Sequence, residues 1–178
     1  MRSGRPHKPR PPLDSEALER LAFFYVGRYA TTRHKLKAYL DRKLRERGWA
    51  GPGAADVGAV VARCADLGFV DDGAFAASRV SSLMRRGYGE RRVAQALQAA
   101  GVEEADAEAA RAEAEEQALA AALRFAERRR IGPYAAVPAD RQGRQKAAAA
   151  MLRAGHRMDL VRTVLNASPG EIPDQDGY

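Results

Sequence analysis

The chain has 178 residues, of which 46% are apolar, 30% are charged and 7% are aromatic. Alanine, the best helix former, makes up much of the apolar fraction and β-branched residues are scarce, so the composition favours an all-helical protein over one built from strands. The single cysteine, Cys64, excludes an internal disulfide and indicates a reducing compartment. Since no apolar run approaches the ~20 residues of a membrane span and no signal-peptide core follows the basic start, we expect a soluble, cytoplasmic protein.

Charge is arranged in blocks along the chain, with a net value of +7. Residues 1–12 are basic and rich in proline, and residues 13–49 also carry a basic excess. Residues 103–117 hold seven carboxylates against one arginine, Arg111, whereas residues 119–165 are basic again. This pattern in a helical protein indicates a polyanionic partner, either nucleic acid or a complex that contains it. Solvation alone would also account for arginine-rich helix faces.

The first helical patterns predict a three-helix unit, repeat one. Apolar residues over residues 18–29 follow the spacing of one helix face, with Ser15 as the N-cap. Thr31 or Thr32 caps a second helix, which ends at Gly48. A third helix carries Cys64 on its apolar stripe, where we expect it to be a small core residue.

A second unit, repeat two, begins at the carboxylate pair of Asp71 and Asp72. These residues precede a helix, so capping explains them better than acid–base or metal chemistry. A glycine turn over residues 87–89 separates the first two helices of this unit. The acidic helix that follows from Glu103 is either continuous with the next helix or bent near residues 113–117. Repeat three then continues through an irregular segment near Pro138 to two further helices.

Three similar phrases mark the ends of the second helices. They are LRERGW from Leu44, LQAAGV from Leu97 and MLRAGH from Met151. Their glycines are Gly48, Gly101 and Gly155, which are 53 and 54 residues apart, a regularity that indicates one unit used three times. At each end we expect a left-handed glycine cap, with the next apolar residue packed on the last turn. Trp49 and Val102 suit that packing role, whereas His156 suits it poorly and indicates that the third copy has diverged.

The sequence therefore predicts an all-α fold of three tandem three-helix repeats stacked into an elongated, curved array. The predicted parts are a basic, proline-rich disordered tail over 1–12, repeat one over 13–69, repeat two over 70–113, repeat three over 114–167 and an acidic disordered tail over 168–178.

The middle repeat resembles that of the RecX family. The resemblance is carried by DLGFVDD at residues 66–72, RGYGERRV at residues 86–93 and the phrase that ends at Val102. These strings are specific in combination, although each alone would be weak. The outer repeats are similar too: YATTR from Tyr29 leads to the first glycine phrase, and residues 146–165 resemble the third repeat. The resemblance covers about residues 15–166.

The resemblance implies a modular helical regulator that is not an enzyme and needs no cofactor. RecX proteins regulate the RecA recombinase by binding along or within its filament on DNA, which inhibits ATP hydrolysis and strand exchange. The expected partner is thus the RecA nucleoprotein filament, in DNA repair, recombination and the SOS response, and the expected state is a monomer. Whether the protein caps filaments, lodges in their groove or removes subunits stays open.

Two basic groups are the predicted binding residues for the RecA–DNA filament, because guanidinium groups offer two-pronged donors to phosphate or carboxylate. The first surrounds the glycine turn of repeat two and comprises Arg85, Arg86, Tyr88, Arg91 and Arg92. The second lies on the helix that ends at Gly48 and includes Arg33, Lys35 and Lys43. Structural alternatives are a Tyr88 that fixes the turn, arginines paired with the acidic helix, and cations that oppose a helix dipole. The last explanation is slightly favoured for a third cluster, residues 128–130.

No catalytic, cofactor or metal site is predicted. His7, His34 and His156 lack a second ligand at metal-binding spacing. The glycines of residues 48–53 follow no strand and precede no Lys-Ser/Thr pair, which excludes a P-loop. No nucleophile–base pair is evident, so an enzyme is not expected. Two alternatives remain: a stand-alone basic DNA-binding module with weak direct affinity for DNA, and a helical scaffold for acidic proteins.

Overall fold

The structure, a computed structural model, describes residues 11–174, so most of the predicted basic tail and the end of the acidic tail lie outside the described residues. The described chain contains nine α-helices and a short 3₁₀ turn over Gly132–Tyr134. The helices are α1 Ser15–Val26, α2 Arg33–Arg47, α3 Val57–Asp66, α4 Asp72–Arg85, α5 Glu90–Ala100, α6 Glu104–Glu116, α7 Ala118–Arg129, α8 Arg141–Arg153 and α9 Met158–Asn166. The predicted all-helical fold of tandem three-helix repeats is confirmed. Over residues 11–174, no helix is both long and apolar enough to cross a membrane.

The chain divides after Asp72 into two compact units. Unit one, up to Asp72, holds α1, α2 and α3, which pack around buried leucines such as Leu18, Leu36 and Leu40. Cys64 is buried in the same core, as the sequence predicted, and burial raises the pKa of its thiol. This cysteine is a core residue rather than a reactive one.

Helix caps in unit one follow the sequence signals, with one correction. Thr32 caps α2, and its side chain accepts a hydrogen bond from the backbone N–H of Lys35 at 3.1 Å. The N-cap of α1 is Asp14 and not Ser15, since the Asp14 carboxylate accepts from the N–H of Ala17 at 2.8 Å. Asp72 is only 3% exposed, and its carboxylate accepts from the N–H of Arg33 at 2.9 Å, so it also supports the start of α2.

The three glycine ends are not identical. Gly101 is left-handed, with φ 68° and ψ 30°, and the N–H of Val102 donates to Leu97 O at 3.2 Å, as the capping pattern requires. Gly48 has a positive φ of 80° but an extended ψ of 172°, so the prediction of a left-handed cap is wrong there. The physical reason is that the chain leaves α2 as an extended segment that pairs with the residues before α1. Leu13 N–H donates to Gly48 O at 3.0 Å, and Leu13 forms a parallel bridge with Trp49.

Unit two holds α4 to α9 and has two packed clusters. Buried side chains of α4, α5 and α6 form one, and those of α7, α8 and α9 form the other. The open question about the acidic helix is resolved as a bend, because α6 ends at Glu116 and α7 begins at Ala118. Ala121 of α7 packs into the cluster of α4 to α6, and Tyr88 packs against both clusters. Repeats two and three therefore share a packed boundary.

Candidate functional site

Four exposed arginines surround the glycine turn between α4 and α5. We call Arg85, Arg86, Arg91 and Arg92 the arginine cluster. Arg85 donates to the hydroxyl of Ser81 at 2.5 Å, and the guanidinium of Arg86 lies 5.4 Å from the centre of the Tyr88 ring. Over residues 11–174, the side chains of Arg91 and Arg92 form no ion pair, so the alternative that they are neutralised by the acidic helix is not observed. The cluster is a set of solvent-facing guanidinium groups.

Tyr88 is half-buried and fixes the turn. Its ring packs against the hydrophobic clusters of both repeats, as the structural alternative anticipated. The Arg86 guanidinium over this ring gains a cation–π contact, which limits the orientations of that arginine. Tyr88 thus fixes the turn that carries the arginine cluster and limits the orientation of Arg86.

The turn is clamped by backbone contacts with the loop between α8 and α9. Gly89 N–H donates to Ala154 O at 2.9 Å, and Arg91 N–H donates to Gly155 O at 3.1 Å. A Cβ at Gly89 would lie closer to the carbonyl group of Gly155 than nonbonded atoms can approach, and a Cβ at Gly155 would lie 2.5 Å from Arg92 N. Both positions need glycine because two backbones touch there.

His156 completes this clamp, and its contacts give the physical reason why the third copy departs from the apolar pattern of the other two. It is 1% exposed, its Nε2 lies 3.1 Å from Gly87 O, and its ring meets Phe125 edge-on at 5.5 Å between ring centres. Because a carbonyl only accepts, Nε2 carries the proton and the imidazole is a donor in this bond. Nδ1 is buried without a hydrogen-bond partner among residues 11–174. The residue after the third glycine is polar because it binds the turn of repeat two.

Two further arginines belong to this site. The sequence placed Arg128 only in a third cluster at a helix end, and it did not single out Arg157. Arg128 of α7 donates to Arg86 O across 42 positions of sequence. Arg157 forms ion pairs with Asp159 at 3.0 Å and with Glu90 and Glu115 at 3.6 Å. Burial raises the pKa of Glu90, and Arg157 opposes that shift. The bond of Arg128 to Arg86 O and the ion pair of Arg157 with Glu90 have no signature in local spacing, since each joins residues of different repeats.

The second predicted group lies on α2 in unit one. Arg33 is exposed, and Lys35 is half-buried in the first turn of the helix. Lys43 is less available for a partner: its ammonium lies 2.6 Å from a Glu46 carboxylate oxygen and 5.8 Å from the centre of the Tyr39 ring, and its side chain is 19% exposed. The structure therefore brings the four arginines of repeat two together, whereas the α2 cations belong to the other unit.

Known proteins are similar to this chain in sequence and in fold. A family model described as RecX, second three-helix domain, matches residues 71–110, the stretch that carries the arginine cluster. The regulatory protein RecX of Myxococcus xanthus is 32% identical over 172 residues, covering 92% of this chain and 91% of the relative. That of Halorhodospira halophila is 34% identical over 154 residues, covering 86% and 89%. The chain belongs to the RecX family.

Solved RecX structures have the same fold. The crystal structure of RecX from Lactobacillus salivarius superposes with a TM-score of 0.67 at 19% identity, covering 85% of this chain and 94% of that one. A second crystal structure, of regulatory protein RecX, gives a TM-score of 0.60 at 20% identity, covering 85% and 72%. The chain is accordingly a RecX-type regulator with the RecX arrangement of three-helix repeats.

The glycine contact generates a stability prediction. Gly89→Ala adds a methyl group against backbone atoms, which cannot move aside as a flexible side chain does, so we expect a loss of about 1–3 kcal/mol in the free energy of unfolding. Gly58→Ala is the control, because its Cβ would meet only the Asp56 carboxylate at 3.3 Å, and alanine is the better helix former. Urea unfolding measures both variants. Equal stability of the Gly89 variant and the wild type would show that the backbones are not in contact.

His156 generates a prediction of pH dependence. Burial lowers its pKa from the ordinary value of about 6.5, and the hydrogen bond to Gly87 only partly offsets this shift. As the pH falls through the ordinary pKa, His156 binds a proton in the unfolded chain but not in the folded chain. The free energy of unfolding therefore decreases as the pH drops from about 7.5 to 5.5. Glu90, with its raised pKa, contributes with the opposite sign.

The variant His156→Gln isolates this effect, since its amide can donate to Gly87 O but does not titrate. We expect urea unfolding of this variant to show a flatter stability profile over the same pH range. If the stability of the variant and of the wild type changed in parallel with pH, His156 would not be the cause of the pH dependence.

Proposed function

We propose that this RecX-family chain is a negative regulator of the RecA recombinase. It binds the RecA–DNA filament in the cytoplasm and inhibits the filament's ATPase and strand-exchange activities during DNA repair and recombination. The observation that carries this proposal is the arginine cluster, four exposed guanidinium groups held on a clamped turn within the stretch that the RecX family model matches. The chain acts by binding and needs no cofactor.

The arginine cluster suits an anionic partner for two reasons. Guanidinium groups bind phosphate or carboxylate oxygens with paired hydrogen bonds of defined geometry. The backbone hydrogen bonds of Gly89 and Arg91 fix the base of the cluster, so binding has less conformational entropy to remove than it would on a mobile loop. Tyr88 contributes by positioning Arg86, and its direct contact with the filament stays a prediction.

The cations of α2 are proposed as a second contact. Arg33 and Lys35 lie in the first turn of that helix, and Lys43 engages only if it exchanges its bond with Glu46 for one with the partner. We expect this group to contribute less per residue than the arginine cluster, because Lys43 must give up its ion pair with Glu46 to bind a partner. Binding through both groups should weaken as salt concentration rises.

Charge reversal of the arginine cluster tests the proposal. In a DNA-dependent RecA ATPase titration, we expect wild-type protein to lower hydrolysis at substoichiometric amounts. The quadruple variant R85E/R86E/R91E/R92E should require at least about tenfold more protein, since each lost charged hydrogen bond is worth about 1.5–3 kcal/mol.

The control is R141E/K146E/R153E/R162E, which makes the same total charge change at four exposed positions of α8 and α9. It should retain most of the inhibition, whereas equal losses in the two variants would indicate only a general charge effect. No inhibition and no filament binding by the wild type would end the proposal. Tight binding to bare DNA without preference for filaments would favour the stand-alone DNA-binding module.

A further inference from the structure

Three tyrosines in unit one form a continuous series of ring contacts, in which two rings are stacked and the third is tilted. The rings of Tyr25 and Tyr39 are nearly parallel, at 17°, with centres 4.2 Å apart. On its way out of α1 the chain places Tyr29 beside Tyr25, with ring centres 5.3 Å apart and planes tilted by 48°. The backbone N–H of Tyr29 donates to Tyr25 O at 3.0 Å, which holds the turn that follows α1. We call these three residues the tyrosine stack.

The stack is anchored at one end and open at the other. Tyr25 and Tyr39 are half-buried and pack against the core of unit one. Tyr29 lies outside that core and is 51% exposed. Burial in the core explains the inner two rings, but it does not explain a half-exposed third ring at the end of the stack.

Cations flank both ends of the tyrosine stack. At the inner end, the Arg42 guanidinium and the Lys43 ammonium lie 5.6 and 5.8 Å from the centre of the Tyr39 ring, and they share the single carboxylate of Glu46. At the outer end, Arg28 is exposed next to Tyr29, and its side chain makes no hydrogen bond or ion pair within residues 11–174. The surroundings of the stack therefore carry a positive excess.

We propose that the tyrosine stack is a binding site for unpaired bases of single-stranded nucleic acid. One base stacks on the exposed Tyr29 ring, and Arg28 binds a neighbouring phosphate. Aromatic rings bordered by cations suit a single strand, because every base offers a π-face for stacking and every backbone linkage carries a negatively charged phosphate. The positive excess favours this ligand over an apolar protein surface. The site goes beyond the proposed RecA interaction, since it needs no recombinase.

The test measures fluorescence anisotropy of a labelled single-stranded oligodeoxyadenylate with the full-length chain and no RecA. The variant Tyr29→Leu should bind about tenfold more weakly, as expected for one lost stacking contact. Tyr29→Phe keeps the ring and should bind like the wild type. Phe24→Leu is the matched control, because Phe24 is also exposed, at 64%, but lies outside the stack, so its removal should leave affinity unchanged.

Two further measurements separate stacking from charge. The wild type should bind an abasic oligonucleotide of the same length about tenfold more weakly than the adenylate, and Tyr29→Leu should cause no additional loss on it. This comparison also tests the proposal if the leucine variant fails to fold. Arg28→Gln should reduce the slope of log affinity against log salt by about 0.7, whereas Tyr29→Leu should leave the slope unchanged.

The proposal is overturned if Tyr29→Leu stays within twofold of the wild type, or if the abasic and normal strands bind equally well. It is also overturned if Tyr29→Leu impairs RecA binding alone, because the stack would then dock a protein. These outcomes are independent of the ATPase titration, so either proposal can fail without the other.

Discussion

The structure of unit two depends on a close backbone contact between the α4–α5 turn and the α8–α9 loop. Gly89 and Gly155 lack side chains where the two backbones meet, and the N–H groups of Gly89 and Arg91 are bonded across that contact. His156 adds a third bond to the turn, from its Nε2 to Gly87 O. A turn with three cross-repeat hydrogen bonds cannot move independently of repeat three. These bonds, together with Ala121 and Tyr88, which pack across the boundary, join repeats two and three in one compact unit, although each has its own apolar cluster.

This contact also determines what the arginine cluster can do. Arginine side chains are flexible and individually weak at a protein surface. When four of them extend from a fixed turn, their charges act on one partner at a defined spacing, and complementary potentials speed association and select the partner. The glycine clamp, the half-buried Tyr88 and the Arg128 bond to Arg86 O all act on the backbone or ring beneath the cluster. The arginine cluster is exposed, whereas the glycine contact that holds its turn is buried.

Local signals in the sequence were sufficient for most of the fold. Apolar spacing and N-cap residues identified the helices, and the strings around Gly87 and Gly101 identified the middle repeat and its arginines. The Gly48 cap was wrong because its conformation depends on Leu13, a partner 35 residues away. The contacts of His156, Arg128 and Arg157 with repeat two escaped prediction for the same reason, since Gly87, Arg86 and Glu90 are distant in sequence. A polar residue at an apolar position was in fact the signal for a contact between repeats.

The most direct measurement of the central claim is site-resolved hydrogen exchange of the Gly89 and Arg91 amides, in the free chain and on RecA–DNA filaments. The account predicts slow exchange at both amides in the free chain, because each is bonded to a carbonyl of the α8–α9 loop, and further slowing when filaments are added. Exchange at the rate of an exposed loop in the free chain, or rates unchanged on filaments that the protein demonstrably binds, would contradict it.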